Sequence, residues 1–183
     1  MPELSDQKAF SRIIEAGSIS SRGSERRIEA NAAECKALAD LLDLQAIGSL
    51  AADLSMRRLA SGLIEIKGRL EADVIQTCVV TLEPVPAKVS ESFRVTFGEG
   101  VEEPDLTEID LDYEDQDPPE PIVDGMIDLG ALVAEHLSLG LDPYPRKADA
   151  AIPTEYEAGP LEVPEIERPA TRKPFAGLDK LIK

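Results

Sequence analysis

The side chains that most often act as nucleophiles, bases or metal ligands are few and scattered in this chain. It has two cysteines, Cys35 and Cys78, and one histidine, His136, in the middle of a predicted helix. Catalysis by a Ser or Cys nucleophile usually requires a histidine base, and neither cysteine is near His136 in sequence. We interpret His136 as a partly exposed helix residue and Cys35 as a core residue, and we predict no catalytic centre.

Metal and cofactor motifs are also missing from the sequence. A zinc site needs four ligands at characteristic spacing, commonly with a CxxC pair, but the third residue after Cys78 is Thr81. The acidic run 110–117 has no glycine for the sixth position of a calcium-binding EF-hand loop. No Walker, GxGxxG or HExxH motif occurs. We therefore expect no metal and no cofactor.

The formal net charge of -17 is unevenly distributed. Residues 1–97 hold 14 acids and 12 bases, and residues 98–183 hold the remaining 22 acids and 7 bases. Acids and prolines are densest at 98–121, which predicts a mobile, solvated acidic loop; recruitment of a basic partner is the alternative. Because a strongly acidic surface repels phosphate, direct RNA binding would require a local basic patch.

Basic residues do cluster on the predicted strands. Four of them are candidate RNA contacts: Arg57, Arg58, Lys67 and Arg69. If the strands pair, these cations could converge on one surface and contact phosphate, with Arg22, Arg26 and Arg27 on a preceding hairpin. The alternative is ordinary solubilising charge, paired with carboxylates such as Glu65 and Glu71.

The elements that carry these residues predict an α+β fold. Two helices are expected, at 31–44 with a capping box from Asn31 to Glu34, and at 129–139 with Asp128 as its cap. Apolar and polar residues alternate at 50–59, 64–74 and 87–97, as in antiparallel strands with one buried face. With the weaker candidates this makes an antiparallel sheet of about five or six strands.

The weaker strand candidates are three. Segments 10–15 and 25–30 could form a hairpin around the Gly/Ser/Arg loop 17–24. A short strand at 77–82 should be broken by the prolines at 84 and 86, because proline cannot donate to a strand ladder.

We predict one domain at 8–146, containing the acidic loop, and a flexible linker and tail at 147–183. The tail residues Pro174, Phe175 and Leu178 could form a short docking motif, or the tail could stay frayed. No apolar stretch is long enough to span a bilayer and no signal peptide is visible, so we expect a cytoplasmic protein with free thiols.

Three stretches together resemble the YceD family of bacterial large ribosomal RNA subunit accumulation proteins. They are CVVTLEP at 78–84, DLGALVAEHLSLGLDP at 128–143 and KPFAGL at 173–178. The tail and the PYPR turn resemble an alphaproteobacterial branch. The residues that match the centre of the family motif are Cys78, Leu82, Glu83 and Pro84. Many members carry a CxxC at this centre, and Thr81 replaces the second thiol, so a metal or redox role is doubtful here.

The resemblance implies a non-enzymatic ribosome-biogenesis factor that supports accumulation or processing of large-subunit (23S) ribosomal RNA. Its partner would be ribosomal RNA or a basic large-subunit ribosomal protein, with no DNA and no membrane; the oligomeric state stays open. The alternative from another class is a hydrolase or nuclease that uses clustered carboxylates and Mg²⁺.

Overall fold

A long antiparallel hairpin forms the centre of the fold in the computed structural model, which describes residues 9–100 and 118–151. In chain order the elements are β1 (Ile13–Glu15), a 3-10 turn (Ala16–Ser18), β2 (Ser24–Glu29), α1 (Ala32–Leu41), β3 (Ala46–Arg58), β4 (Ile64–Thr77), β5 (Pro84–Gly98), β6 (Glu120–Pro121), β7 (Met126–Asp128) and α2 (Leu129–Leu139). The main sheet has the order β2-β3-β4-β5-β6, and β1 pairs with β7 in a small second sheet. This confirms the predicted α+β class.

Strict alternation of apolar and polar residues explains the long strands. Antiparallel pairing joins β4 to β3 on one side and to β5 along its whole length on the other. Alternate side chains of β4 are fully or almost fully buried, namely Ile64, Ile66, Leu70, Ala72 and Val74. The strands β3, β4 and β5 each exceed their predicted length, because pairing extends beyond the residues that alternate most clearly.

The helices begin where their capping residues predict. The Asn31 side chain accepts hydrogen bonds from the backbone of Ala33 and Glu34, and the Glu34 carboxylate accepts from the Asn31 backbone, which completes the capping box. The helix α1 packs on β3, and α2 packs on β4 and β5. Leu38, Leu132, Val133 and Leu137 are buried, so both helices close the apolar face of the sheet.

The predicted hairpin between 10–15 and 25–30 is wrong. The first segment pairs as β1 with β7, and the second pairs as β2 with β3, where Ile28 lies opposite Ala52. The intervening turn is fixed by Arg58, whose guanidinium donates to the backbone oxygens of Ala16 at 2.8 Å and Ile19 at 3.3 Å. Each segment is thus paired with a different strand, and the two do not pair with each other.

The predicted short strand at 77–82 and the proline break after it are also wrong. The strand β4 continues to Thr77, residues 78–83 form a turn, and β5 begins at Pro84 itself. Pro84 lies opposite Thr77 and Pro86 opposite Ile75. Among described residues β6 reaches β5 only at Phe97 and Gly98, so this part of β5 is a sheet edge. Because Pro84 and Pro86 are two residues apart, their backbone nitrogens face the same side of the strand. That side is the edge, where no N–H donor is required, so the strand tolerates both prolines.

Replacing Asp128 with alanine should lower the free energy of unfolding by about 2–4 kcal/mol. One Asp128 oxygen accepts from three backbone N–H groups, those of Gly130 at 3.0 Å, Ala131 at 3.3 Å and Arg12 at 2.8 Å. The other accepts from the Ser11 hydroxyl at 2.8 Å. Urea denaturation of the full chain measures the loss. Asp128→Asn keeps the oxygen that caps the helix and should retain most of the stability; equal losses in both variants would contradict this reading.

Candidate functional site

The outer face of the main sheet, which points away from the helices, is built from charged and hydroxyl side chains. Its cations are Arg27, Arg57, Lys67, Arg69, Lys88 and Arg94, and its carboxylates are Glu25, Glu29, Asp53, Glu65, Glu71 and Asp73. Cations and carboxylates are equal in number, so the face as a whole is neutral. Any preference for an anion must therefore come from an uneven local distribution.

Such an unevenness occurs around Glu65 near the start of β4. Its carboxylate lies 2.9 Å from the Arg57 guanidinium, 3.3 Å from Lys67 Nζ and 3.7 Å from Arg94 Nε. We call these four residues the Glu65 cluster. Three cations share one carboxylate, so the cluster keeps a net charge of +2. The cation side chains are 52%, 45% and 66% exposed while that of Glu65 is 11% exposed, so the positive groups are the accessible ones.

The protonation of Glu65 follows from these contacts. Burial acts to raise its pKa, but hydrogen bonds from Lys67 and Arg57 outweigh burial, and the pKa is lowered from its ordinary value. The carboxylate thus stays ionised at neutral pH and holds the three cations together. Neighbouring strands supply the geometry, since Arg57 lies opposite Glu65 and Lys67 lies opposite Arg94.

Three of the four predicted cations share this outer face. Arg69 follows Lys67 at the next outward position and pairs with Glu71 at 3.3 Å. Arg58 is separate, because its guanidinium faces the turn at 16–19 and also donates to the Gly62 oxygen at 3.1 Å. The prediction omitted Arg94, although alternation already placed it on the polar side of its strand. Pairing of β4 with β5 is what brings it beside Lys67.

The residues at the motif centre form a hydrogen-bonded turn between β4 and β5, at the far end of β4 from the Glu65 cluster. Cys78 is fully buried and its sulfur accepts from the backbone of Thr81 at 3.4 Å and Lys147 at 3.5 Å. The Cys78 backbone N–H donates to the backbone oxygen of Glu83, and the Leu82 backbone N–H donates to the backbone oxygen of Cys78, both at 2.9 Å. We call residues 78–83 the motif turn.

A segment after α2 packs against the motif turn. The Val79 backbone donates to the Pro145 oxygen at 2.9 Å, and Lys147 Nζ lies 3.1 Å from the Glu83 carboxylate. Leu82 is exposed, and Pro84 follows as the first residue of β5. Sequence reasoning linked 78–84 with 128–143 only through the family pattern; the structure brings the residues after this second stretch into contact with the first.

The Cys78 thiol should ionise near pH 6. Hydrogen bonds from the Thr81 side chain and from the backbone of Lys147, Thr81 and Val80 outweigh burial and lower its pKa to about 6. Burial instead raises the pKa of Cys35. Ultraviolet absorbance of the thiolate should therefore titrate near pH 6 in the wild type and in Cys35→Ala, and the step should disappear in Cys78→Ala.

This titration also sets a pH dependence of stability. Because the pKa of Cys78 is lower in the folded protein than in the unfolded chain, its ionisation favours folding at pH values above the ordinary thiol pKa. That contribution falls as the pH decreases from about 9 towards about 6. A Cys78→Ala variant should lose this part of the pH profile, measured by urea denaturation across the same range.

The other predicted sites are placed as follows. His136 is half-buried and stacks on the Phe93 ring with a centroid distance of 3.9 Å. Within residues 9–100 and 118–151, no three His, Cys, Asp or Glu side chains are grouped so that they could hold a metal ion. Most of the acidic segment 98–121 and the tail residues Pro174, Phe175 and Leu178 lie outside the described residues.

The chain is similar to a known protein family. A family model described as "Large ribosomal RNA subunit accumulation protein YceD" matches residues 66–182, which is more than half of the chain. No curated protein and no solved structure matches. The matched region begins within the Glu65 cluster and includes the whole motif turn. No helix of the described part is long and apolar enough to cross a bilayer.

Proposed function

The chain belongs to the YceD family of large ribosomal RNA subunit accumulation proteins, and from that premise we propose that it is a non-enzymatic factor acting on large-subunit ribosomal RNA in the cytoplasm. The family description gives the role in accumulation of this RNA. The mechanism we infer is direct contact between the Glu65 cluster and RNA phosphates. It would hold the RNA during assembly rather than change it chemically.

The observation that supports RNA contact is the incomplete neutralisation of the Glu65 cluster. Arg57, Lys67 and Arg94 are exposed on the polar outer face and share a single carboxylate. Elsewhere on the outer face carboxylates outnumber cations and each cation is paired, as Lys88 is with Asp73 at 3.0 Å and Arg27 with Asp53 at 2.8 Å. Phosphate contacts depend on cations that are not neutralised by carboxylates, so this accessible net positive charge on an otherwise acidic protein favours contact with RNA.

Purified full chain should bind deproteinised large-subunit ribosomal RNA with an affinity that falls as salt increases. Deleting the gene should reduce large-subunit RNA and particles in a sedimentation gradient. RNA incubated with the protein and Mg²⁺ should remain intact. Cleavage that a chelator stops would instead establish the carboxylate-dependent nuclease, and unchanged particle levels in the deletion strain would remove the assembly role.

A second candidate mechanism is binding of a basic large-subunit ribosomal protein. The observation that favours it is the net charge of -17, most of it after residue 97. Such a charge attracts cationic proteins over distances of about a Debye length, ~8 Å in physiological salt. Deleting residues 99–120 should then release the partner, and unchanged pull-down by the deletion variant would exclude the acidic segment as the contact.

A further inference from the structure

The motif turn and the segment packed on it present three exposed apolar side chains. Leu82 is 75% exposed, Tyr144 is 71% exposed and Val79 is 47% exposed. All three belong to one hydrogen-bonded unit, because the Val79 backbone donates to the oxygen of Pro145, the residue after Tyr144. RNA contact through the Glu65 cluster leaves these side chains without a role.

Leu82 occupies a backbone conformation that leucine disfavours. Its φ is 59°, in the left-handed region where a Cβ approaches the following carbonyl oxygen. Glycine or asparagine would make the same turn with less strain. Its backbone bond to Cys78 and that of Cys78 to Glu83 hold the turn in this shape. Strained backbone conformations cluster at functional sites, so we infer that the exposed Leu82 side chain itself has a function.

Tyr144 is also held in advance of any binding event. Its backbone N–H donates to the Asp142 carboxylate at 2.9 Å, and the Asp142 backbone oxygen accepts from the buried Gln76 side chain at 2.8 Å. The prolines at 143 and 145 further restrict its backbone. A surface whose backbone is ordered beforehand loses little entropy on association, which favours binding.

We propose that Val79, Leu82 and Tyr144 form a docking surface for a basic protein. Two of the three side chains are aliphatic and offer no stacking platform for bases. Lys147, whose backbone contacts the motif turn, is neutralised by Glu83 at 3.1 Å, so its side chain offers phosphate no free positive charge. The strong negative charge of the chain attracts a cationic protein, and the apolar side chains supply the local contact. That this protein is a large-subunit ribosomal protein rests on the proposed function.

The test uses Leu82→Asn in the full chain. Asparagine tolerates the left-handed conformation, so this variant should keep or raise the melting temperature while losing the apolar contact. The matched control is Leu139→Asn, at a position 71% exposed near the end of α2. Each immobilised variant is presented with RNA-free proteins extracted from purified large ribosomal subunits. Any protein retained by the wild type is identified, purified and titrated.

Wild type and Leu139→Asn should bind the same ribosomal protein, and Leu82→Asn should bind it about tenfold more weakly or worse. Equal binding by Leu82→Asn, an equal loss in Leu139→Asn, or no retained protein would overturn the proposal. A parallel arm titrates deproteinised large-subunit RNA. Weaker RNA binding by Leu82→Asn would assign the surface to RNA instead. Unaltered RNA binding by Leu82→Asn would show that protein docking and RNA contact use different surfaces. RNA contact through the Glu65 cluster is tested by substitutions within that cluster.

Discussion

Replacing Gly68 with alanine is expected to destabilise the protein by about 3 kcal/mol or more. A Cβ at this position of β4 would lie 2.5 Å from Phe93 Cε1 and closer still to Cζ. The ring cannot retreat, because its other face stacks on the His136 ring at 3.9 Å with an interplanar angle of 5°. Alanine at Gly68 therefore forces apart the packing between the sheet and α2.

Urea denaturation, followed by circular dichroism, would measure this loss. Gly48→Ala is the matched control in the neighbouring strand, since a Cβ there has its nearest atoms at 3.7 Å and should change stability by no more than about 1 kcal/mol. Adding Phe93→Leu to Gly68→Ala should recover part of the lost stability by removing the obstructing ring. A Gly68→Ala midpoint equal to that of the wild type would refute the packing described here.

Neutralising the Glu65 cluster should produce the largest change in RNA binding. The double variant Arg57→Gln with Lys67→Gln leaves Glu65 paired with Arg94 alone and removes the net positive charge. Its affinity for deproteinised large-subunit RNA should fall about tenfold or more at low salt. The slope of log affinity against log salt should become shallower by about two, one for each lost phosphate contact.

A variant with the opposite expected effect makes this test sharper. Glu65→Gln removes the shared carboxylate and leaves three cations without a counter-charge, so RNA binding should tighten and its salt slope should steepen. Lys88→Gln, at the other end of the outer face, should leave both quantities unchanged. If Glu65→Gln and the double variant shift affinity in the same direction, electrostatic contact through this cluster is not the mechanism.

Local patterns predicted the parts of the fold that local interactions determine. Alternation identified β3, β4 and the centre of β5, and capping residues located the start of both helices. The partner of β1 was not predictable, because β7 lies more than 100 residues away and three-residue strands carry little pattern. Gly68 fitted the apolar face of β4 by position, but only tertiary packing reveals that the Phe93 ring fills the space above it.

The candidate sites show the same division between local and long-range information. Alternation predicted polar positions for Arg57, Lys67 and Arg69, with one shared surface if the strands pair, and they do share the outer face. Arg58 was grouped with them because it is adjacent in sequence, yet successive strand residues point to opposite faces. The contact between the motif turn and Lys147 joins residues 69 positions apart, and no spacing rule predicts it.

The length of β4 has a consequence for assembly. From Glu65 to the motif turn the strand runs about 13 residues, or roughly 40 Å at ~3.3 Å per residue. A binding patch of standard size covers about 800 Å² and therefore extends roughly 16 Å from its centre. Two such footprints fit along the strand without overlapping. The hairpin of β4 and β5 can thus act as a spacer of fixed length. It would hold a nucleic acid and a polypeptide at a set separation in one ternary complex.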